Sequence, residues 1–449
     1  MSSLRLFLPV ALITLLMTSS CAKEQPTTEH ETSSEEASTA TKQQAPPEQD
    51  KKATQEPVKK AEPKKTVETT PVPYENPLTA EQKAAGWLSL FDGHSLFGWE
   101  STDDEINWSV KDGAIIADSG PIGSLMTTVP FTDYELVCEY RMKTGGNSGL
   151  FLRSQFPPGD IATECYEVNI ADDHPDGYST GALVNRQKPE TAVERKEGWN
   201  EFRVAVNGPK IEVQHNGLVV LNYTSDNNVA ATGRIGLQKN AGQIEFRKIL
   251  LKPLNLKSLF NGKDLTGWRE VPGSKSDFKV ENGEIHVKDG AGFIETEETY
   301  QDFIFQSEAI SHADELNSGF FFRAMEGTEE NPSNGYEYQI HNGFEGDRSR
   351  PNNAGTGAIF RRIDARYVVA NDKEWFNATL IAFGPRISCW VDGYHVVDWV
   401  DDRKPDPNPR RGLRLEGGHI SIQGHDPTTD LSFRNLKIAE YPKPPQGDE

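Results

Sequence analysis

The sequence predicts an all-β fold: two tandem sandwiches of the jelly-roll type, preceded by a signal peptide and a disordered linker. Three observations carry this. One set of motifs occurs twice in the same order, apolar residues alternate with polar ones between tight glycine turns, and the residues before about 84 differ in composition from everything after them.

The repetition comes first. Trp87-Leu-Ser-Leu-Phe-Asp-Gly-His-Ser-Leu-Phe-Gly-Trp99 recurs as Leu256-Lys-Ser-Leu-Phe-Asn-Gly-Lys-Asp-Leu-Thr-Gly-Trp268, and Asn147-Ser-Gly-Leu-Phe-Leu-Arg153 as Asn317-Ser-Gly-Phe-Phe-Phe-Arg323. Tyr166-Glu-Val-Asn-Ile170 returns as Tyr336-Glu-Tyr-Gln-Ile340, Gly208-Pro209 as Gly384-Pro385, and Phe246-Arg247 as Phe433-Arg434. The offset grows from 169 to 176 residues and beyond, as loop insertions would make it, while the order holds. A period longer than that of solenoid repeats predicts two self-sufficient globular units, 84–253 and 254–443, with a short tail at 444–449.

Within each copy the period is two. Ile211, Val213 and His215 alternate with Glu212 and Gln214, Asn216-Gly217 makes a turn, and Leu218–Leu221 follows. Ile387–Val391, Asp392-Gly393 and Tyr394–Val397 repeat that hairpin signature. Asp112-Gly113 and Asn282-Gly283 are further tight turns, and neither copy holds an amphipathic helix of useful length. Many short strands with regular turns predict a β-sandwich or jelly roll in each copy.

The N-terminal part reads differently. Arg5 precedes an apolar run from Leu6 to Met17, too short to span a bilayer and fitting the core of a signal peptide at 1–20. Thr18, Ser19 and Ser20 lead to Cys21, resembling the site at which bacterial lipoproteins are cleaved and acylated, although Thr18 stands where such sites usually carry Leu. The expectation is a cell-envelope lipoprotein held to the membrane through Cys21; plain secretion is the alternative. Residues 21–83 are rich in Glu, Lys, Thr, Gln, Ala and Pro and cannot bury enough apolar surface to order themselves, so they read as a tether.

Composition limits the partners. Lys+Arg 47 against Asp+Glu 68 leaves a net charge of −21, which disfavours nucleic acid because like charges repel. A neutral carbohydrate meets no such barrier.

The paired Leu-Phe-Asp/Asn-Gly-x-x-Leu-x-Gly-Trp, Asn-Ser-Gly-x-x-x-Arg and Tyr-Glu-x-Gln/Asn-Ile motifs, with the closing Phe-Arg-Asn, resemble the 3-keto-disaccharide hydrolase domain family, once a domain of unknown function. The resemblance covers both copies. It implies a concanavalin-like jelly-roll sandwich acting on glycosides whose C3 hydroxyl is oxidised to a ketone. Such a ketone acidifies the C2 hydrogen, so a base can form an enolate that expels the C1 substituent, and water then adds to complete net hydrolysis. That chemistry asks for a base, a donor for the enolate oxygen and an acid for the leaving group.

The strand Tyr336–His341 offers such a set, because Glu337, Gln339 and His341 share one face and Tyr336, Tyr338 and Ile340 the other. Glu337 or His341 would be base or acid, with Gln339 reading a hydroxyl; a solvent-facing polar stripe is the plainer alternative. Arg323, closing the strand after Asn-Ser-Gly, is a candidate for the ketone or enolate oxygen, or else a strand-end ion pair. The expected catalytic set is therefore Glu337, His341 and Arg323, and the expected substrate-binding set Gln339, Tyr338, Arg153, Glu167 and His425. The first copy has Asn169 and Ala171 where the second has Gln339 and His341, which favours the second copy for chemistry.

Other signals are negative. No phosphate loop, dinucleotide fingerprint or serine nucleophile elbow is present. His425 and Asp426 lack metal-ligand spacing, so neither a metal nor another cofactor is expected. Cys138 and Cys165 could pair or stay as buried thiols. A non-catalytic carbohydrate-binding lipoprotein is the leading alternative function, and a surface interaction protein a third.

Overall fold

The structure is a computed structural model that describes residues 75–442 except 227, 228 and 409. The expected export signal, Cys21 and most of the predicted linker lie outside the described residues. The folded part begins earlier than residue 84. Ala80–Ala84 is a helical turn closed by a Thr79/Gln82 capping box, and Leu78 is buried with Trp87.

Each copy is a two-sheet sandwich made of antiparallel pairs. In the first, the larger sheet runs Leu218–Thr224, Lys210–His215, Asn200–Asn207, Tyr134–Met142, Ile244–Pro253, Ala114–Ala117, Trp108–Lys111, with Leu88–Ser89 added on Ile244–Pro253. The smaller runs Trp99–Ser101, Gly123–Thr127, Arg234–Lys239, Asn147–Ser154, Tyr166–Ala171. The second copy pairs equivalent strands. Its larger sheet is Asp277–Glu281, Glu284–Lys288, Asp430–Glu440, Phe303–Ser311, Phe376–Phe383, Arg386–Val391, Tyr394–Val400, with Lys257–Ser258 on Asp430–Glu440. Its smaller sheet is Trp268–Glu270, Gly292–Thr296, His419–Gly424, Ser318–Ala324, Tyr336–Ile340.

Local chemistry explains the strand ends. Asn216 and Gly217 sit at φ 50° and 83°, and Asp392 and Gly393 at 48° and 72°. Two successive positive φ values give the turn whose twist matches a hairpin, which is why Asn-Gly and Asp-Gly stand there. Between turns, alternation buries one face: in Asn200–Asn207 every second side chain is buried.

Arg323 and Arg153 are corrected by the structure. Arg323 is 0% exposed and sits at φ 46°, where the strand kinks and turns its side chain under the neighbouring loops. It donates to Gln301 O (2.7 Å), Gly384 O (2.7 Å), Arg414 O (2.9 Å) and Asp302 Oδ1 (2.7 Å). Arg153, at φ 49°, donates to Thr132 O, Gly208 O and Asp133 Oδ1 at 2.8–2.9 Å. Each arginine ties its strand end to the Gly-Pro turn of its own copy, so the recurrence of arginine and Gly-Pro has one cause. The hydrogen bonds of both side chains run to the fold of their own copy.

Tyr338 is also corrected. It is 1% exposed within the core of the second sandwich, and its hydroxyl donates to Trp390 O at 3.1 Å. Cys138, Cys165 and Cys389 are buried free thiols.

The two sandwiches are not separate. Ile304, Ile381, Trp390 and Tyr441 of the second belong to the core cluster of the first. Trp390 donates to Ser89 O at 3.2 Å and stacks on His395 with ring centres 4.0 Å apart. Arg366 reaches Asp92 Oδ2 at 2.9 Å, and the Tyr441 hydroxyl donates to Pro130 O at 2.7 Å. Burial drives the His395 imidazole down to about 3, so it is neutral in this contact. The expected self-sufficient units are therefore joined through shared apolar surface.

Candidate active site

The site is built on the outer face of the second copy's smaller sheet. Register places Phe321 opposite Glu337 and Ser421, and Gly319 opposite Gln339. Carrying that register on puts Gln423 beside Gly319, and Asn317 between His425 and His341. Three rows result: Ser421, Phe321, Glu337; then Gln423, Gly319, Gln339; then His425, Asn317, His341. Rows of one face lie about 7 Å apart and strands about 4.8 Å, so the patch spans roughly 13 by 10 Å.

The Asn-Ser-Gly motif organises this patch. Ser318 Oγ donates to Gln423 O at 2.7 Å and pins the central strand to its neighbour. Gly319 lets the Glu337 side chain pack close over its strand: a Cβ there would lie 2.8 Å from Tyr338 O and 3.3 Å from Glu337 Cγ. Asn317 links the rows. Its carbonyl accepts from Gln339 Nε2 at 3.0 Å and its amide contacts His425 Nε2 at 3.1 Å, while His425 Nδ1 contacts Asp426 Oδ2 at 2.8 Å. These partners fit one tautomer, with the proton on Nδ1 directed at Asp426 and Nε2 accepting from Asn317.

The electrostatics single out Glu337. It is 7% exposed, and burial pushes its carboxyl up to about 7 against the pull of Arg410, His425 and Arg361. Arg410 Nη2 stands 3.8 Å from Glu337 Oε2. Gln339 Oε1 and Gln423 Oε1 are buried with no hydrogen-bond partner, a costly state for an amide oxygen. A buried carboxyl with a raised pKa and two unpaired acceptors suit a ligand rich in hydroxyl donors, and the carboxyl can both take and return a proton at neutral pH.

His341 is drawn to the other end of the patch. It is buried beside Glu315 and Asp372, and burial lowers its pKa while those acids oppose the shift. Its Nδ1 accepts from Gly343 N at 3.3 Å, leaving the proton on Nε2. Glu337 and His341 fall on the same parity of this segment, and four residues of extended chain put their Cα atoms roughly 13 Å apart.

The first copy keeps half of this. Glu167 lies over Gly149 and is likewise pushed up to about 7 by burial, and Gln238 Oε1 is unpartnered. Asn169 is instead turned onto Tyr178 O, and Asn240 and Ala241 stand where the second copy has His425 and Asp426. Sequence reasoning missed Asn317, Gln423 and Arg410. The invariant pairing of Asn-Ser-Gly with a strand bearing Glu was the available signal for the first two.

Among the described residues, His286, His312 and Asp430 place ligand atoms within 4.8 Å of one another. They lie on the outer face of the other sheet, where His286 already contacts Asp430 at 2.8 Å and His312 contacts Ser432 at 2.9 Å. They are not part of the Glu337 patch.

Comparison with known proteins places the chain in a family. The model of the 3-keto-alpha-glucoside-1,2-lyase-like domain matches residues 86–252 and again 255–439. A 3-keto-disaccharide hydrolase of Bacteroides thetaiotaomicron is 28% identical over 173 residues, covering 31% of this chain and 59% of that protein. Among solved structures, a candidate glycosyl hydrolase from Parabacteroides distasonis is similar at 22% identity and TM-score 0.37, over 40% of this chain and 98% of that one. A carbohydrate-binding module from Bacillus subtilis is similar at 14% identity and TM-score 0.27, over 34% and 95%. With its domain model matched across both sandwiches, this chain belongs to the 3-keto-alpha-glucoside-1,2-lyase-like family and carries its domain twice.

Proposed function

We propose that the protein cleaves glycosides bearing a ketone at C3, and that the second sandwich performs the chemistry. The observation that carries this is the buried Glu337 carboxyl, packed over Gly319 with the Arg410 guanidinium 3.8 Å away. The Glu337 carboxylate removes the C2 proton, and the electron pair passes into the ketone to give an enolate. The enolate re-forms the C3 carbonyl as a C1–C2 double bond forms and the C1–O bond breaks, and the departing oxygen takes up a proton. Water adds to C1, and C2 regains a proton from the Glu337 carboxylic acid. Positive charge from Arg410 offsets the enolate, in the part the sequence had given to Arg323. Gln339 Oε1 and Gln423 Oε1 accept sugar hydroxyls.

The reading also places the protein at the cell envelope, anchored through Cys21. The decisive experiment compares a 3-keto-disaccharide with its unoxidised parent. Only the ketone should be cleaved, Glu337→Gln should lower turnover by about 10²-fold or more, and deuterium at C2 should slow it. Wild-type turnover in the Glu337 variant would reject the assignment, and loss confined to Glu167→Gln would move the site to the first sandwich. The unpaired amide oxygens fit unoxidised sugars too, so binding without any turnover would leave a carbohydrate-binding protein.

A further inference from the structure

The cleft beside Glu337 is lined by four arginines, Arg361, Arg362, Arg403 and Arg410, with Glu337 as its carboxylate. In a chain of net charge −21 this concentration of cations stands out. Two of the four are committed to the fold. Arg403 pairs with Asp401 at 2.7–2.8 Å, and Arg362 donates to the carbonyls of both Arg361 and Arg410. Arg362 thereby stitches together two separate segments and sets the side chains of Arg361 and Arg410 around one opening. Those two are not committed to protein carboxylates at hydrogen-bond distance. Arg410 stands 3.8 Å from Glu337, and among the described residues its guanidinium donates only to Ser333 Oγ (3.2 Å) and that of Arg361 donates no hydrogen bond.

The first copy shows what the fold itself requires. Arg361 holds a left-handed backbone at φ 60°, and its counterpart Asn185 holds the same at φ 59° without a charge. Arg403 and Arg410 stand on the eighteen residues 401–418 between Tyr394–Val400 and His419–Gly424, where the first copy has only the nine residues 225–233. The cations thus stand on the copy with the fuller polar patch. An enolate carries one transient charge, and two guanidinium groups around one opening exceed that need.

We propose that Arg361 and Arg410 form a subsite for a permanent anion on the sugar, so that the substrates are acidic glycosides carrying a carboxylate or a sulfate ester. A guanidinium presents a planar fork that matches either group. The inference rests on the 3-keto-glycoside reading and names the substrate class within it.

The test uses the full chain and three 3-keto-glycosides that differ only in charge: a neutral glycoside, the matching uronide and the matching sulfate ester. The acidic substrates should exceed the neutral one in kcat/KM by about tenfold or more, as expected for charge-assisted hydrogen bonds. Their KM should rise with added salt while that of the neutral one holds. Preference for the uronide alone would assign the subsite to carboxylate, and for the sulfate ester alone to sulfate. Arg361→Asn, which installs the residue the first copy carries on the same backbone, and Arg410→Gln should each bring the acidic-to-neutral ratio toward one. Equal rates on all three substrates, or a preference that survives the double variant, overturns the proposal while leaving 3-keto cleavage standing. If no keto-sugar is turned over, calorimetry with methyl glucuronide and methyl glucoside decides: charge-selective binding lost in Arg361→Asn supports the subsite, and equal or absent binding overturns it.

Discussion

Replacing Arg323 by Met separates a structural arginine from a catalytic one. The side chain is fully buried and makes four hydrogen bonds, one to the Asp302 carboxylate and three to backbone carbonyls. Met keeps the stem but leaves Asp302 and the three carbonyls without their donor. Removing one partner of a buried ion pair costs about 3–5 kcal/mol, because the remaining polar groups stay desolvated. In a domain of this size that loss lowers the melting temperature by roughly 6–20 °C. The assay is a thermal melt, with turnover of a 3-keto-disaccharide measured well below the transition and normalised to folded protein. The variant should melt early yet turn over at close to the wild-type rate, and Arg153→Met should behave alike. A melting temperature at the wild-type value with turnover lost would refute the structural assignment and return Arg323 to the chemistry.

Three further outcomes follow from other parts of the molecule. A carboxyl whose pKa rises on folding from 4.5 to about 7 binds its proton more tightly in the native state. Its stabilising contribution is therefore full below about 4.5 and lost as pH rises through about 7, by about 3 kcal/mol at most; urea midpoints should show a smaller decline between pH 5 and 8 in Glu337→Gln than in wild type, and an equal decline would rule out the shift. Trp390→Ala should cost about 3–5 kcal/mol and raise hydrogen exchange in strands of the first sandwich, and unchanged exchange there would refute a shared core. Cys21→Ser should release the protein from membranes, whereas a wild type already in the soluble exported fraction would end the anchor proposal.

Much of the fold was legible because its signals are local. Asn-Gly and Asp-Gly demand a left-handed backbone that few other residues accept, and alternation reports which face is buried, so hairpins and strands could be placed from residues alone. The duplication needed only the ordered motifs. Glu337 and Gln339 were legible for the same reason, since parity on a strand fixes their shared face. Tyr338 was misplaced against that same parity, which points it into the core. Arg323 was misread because the kink at φ 46° turns it under the loops, and no residue type announces that conformation. Asn317 and Gln423 entered the site through cross-strand register, which joins positions about a hundred residues apart, and Arg410 through an insertion with no repeat partner to draw attention to it.

The sharing of Trp390, Ile381 and Tyr441 between the two cores bears on how the chain is assembled in time. A polypeptide emerges from its N-terminus, so the strands of the first sandwich are all available before residue 254 appears. Its outer layer near Ser89 and Pro130 stays uncovered until more than a hundred further residues have followed and the second sandwich has closed. During that interval the apolar flank of the first sandwich is open to proteases and to other chains. Completion of the C-terminal strand, which delivers Tyr441, is the event that seals both halves. Truncations near the C-terminus should thus be felt hundreds of residues away, in the earliest-made part of the protein.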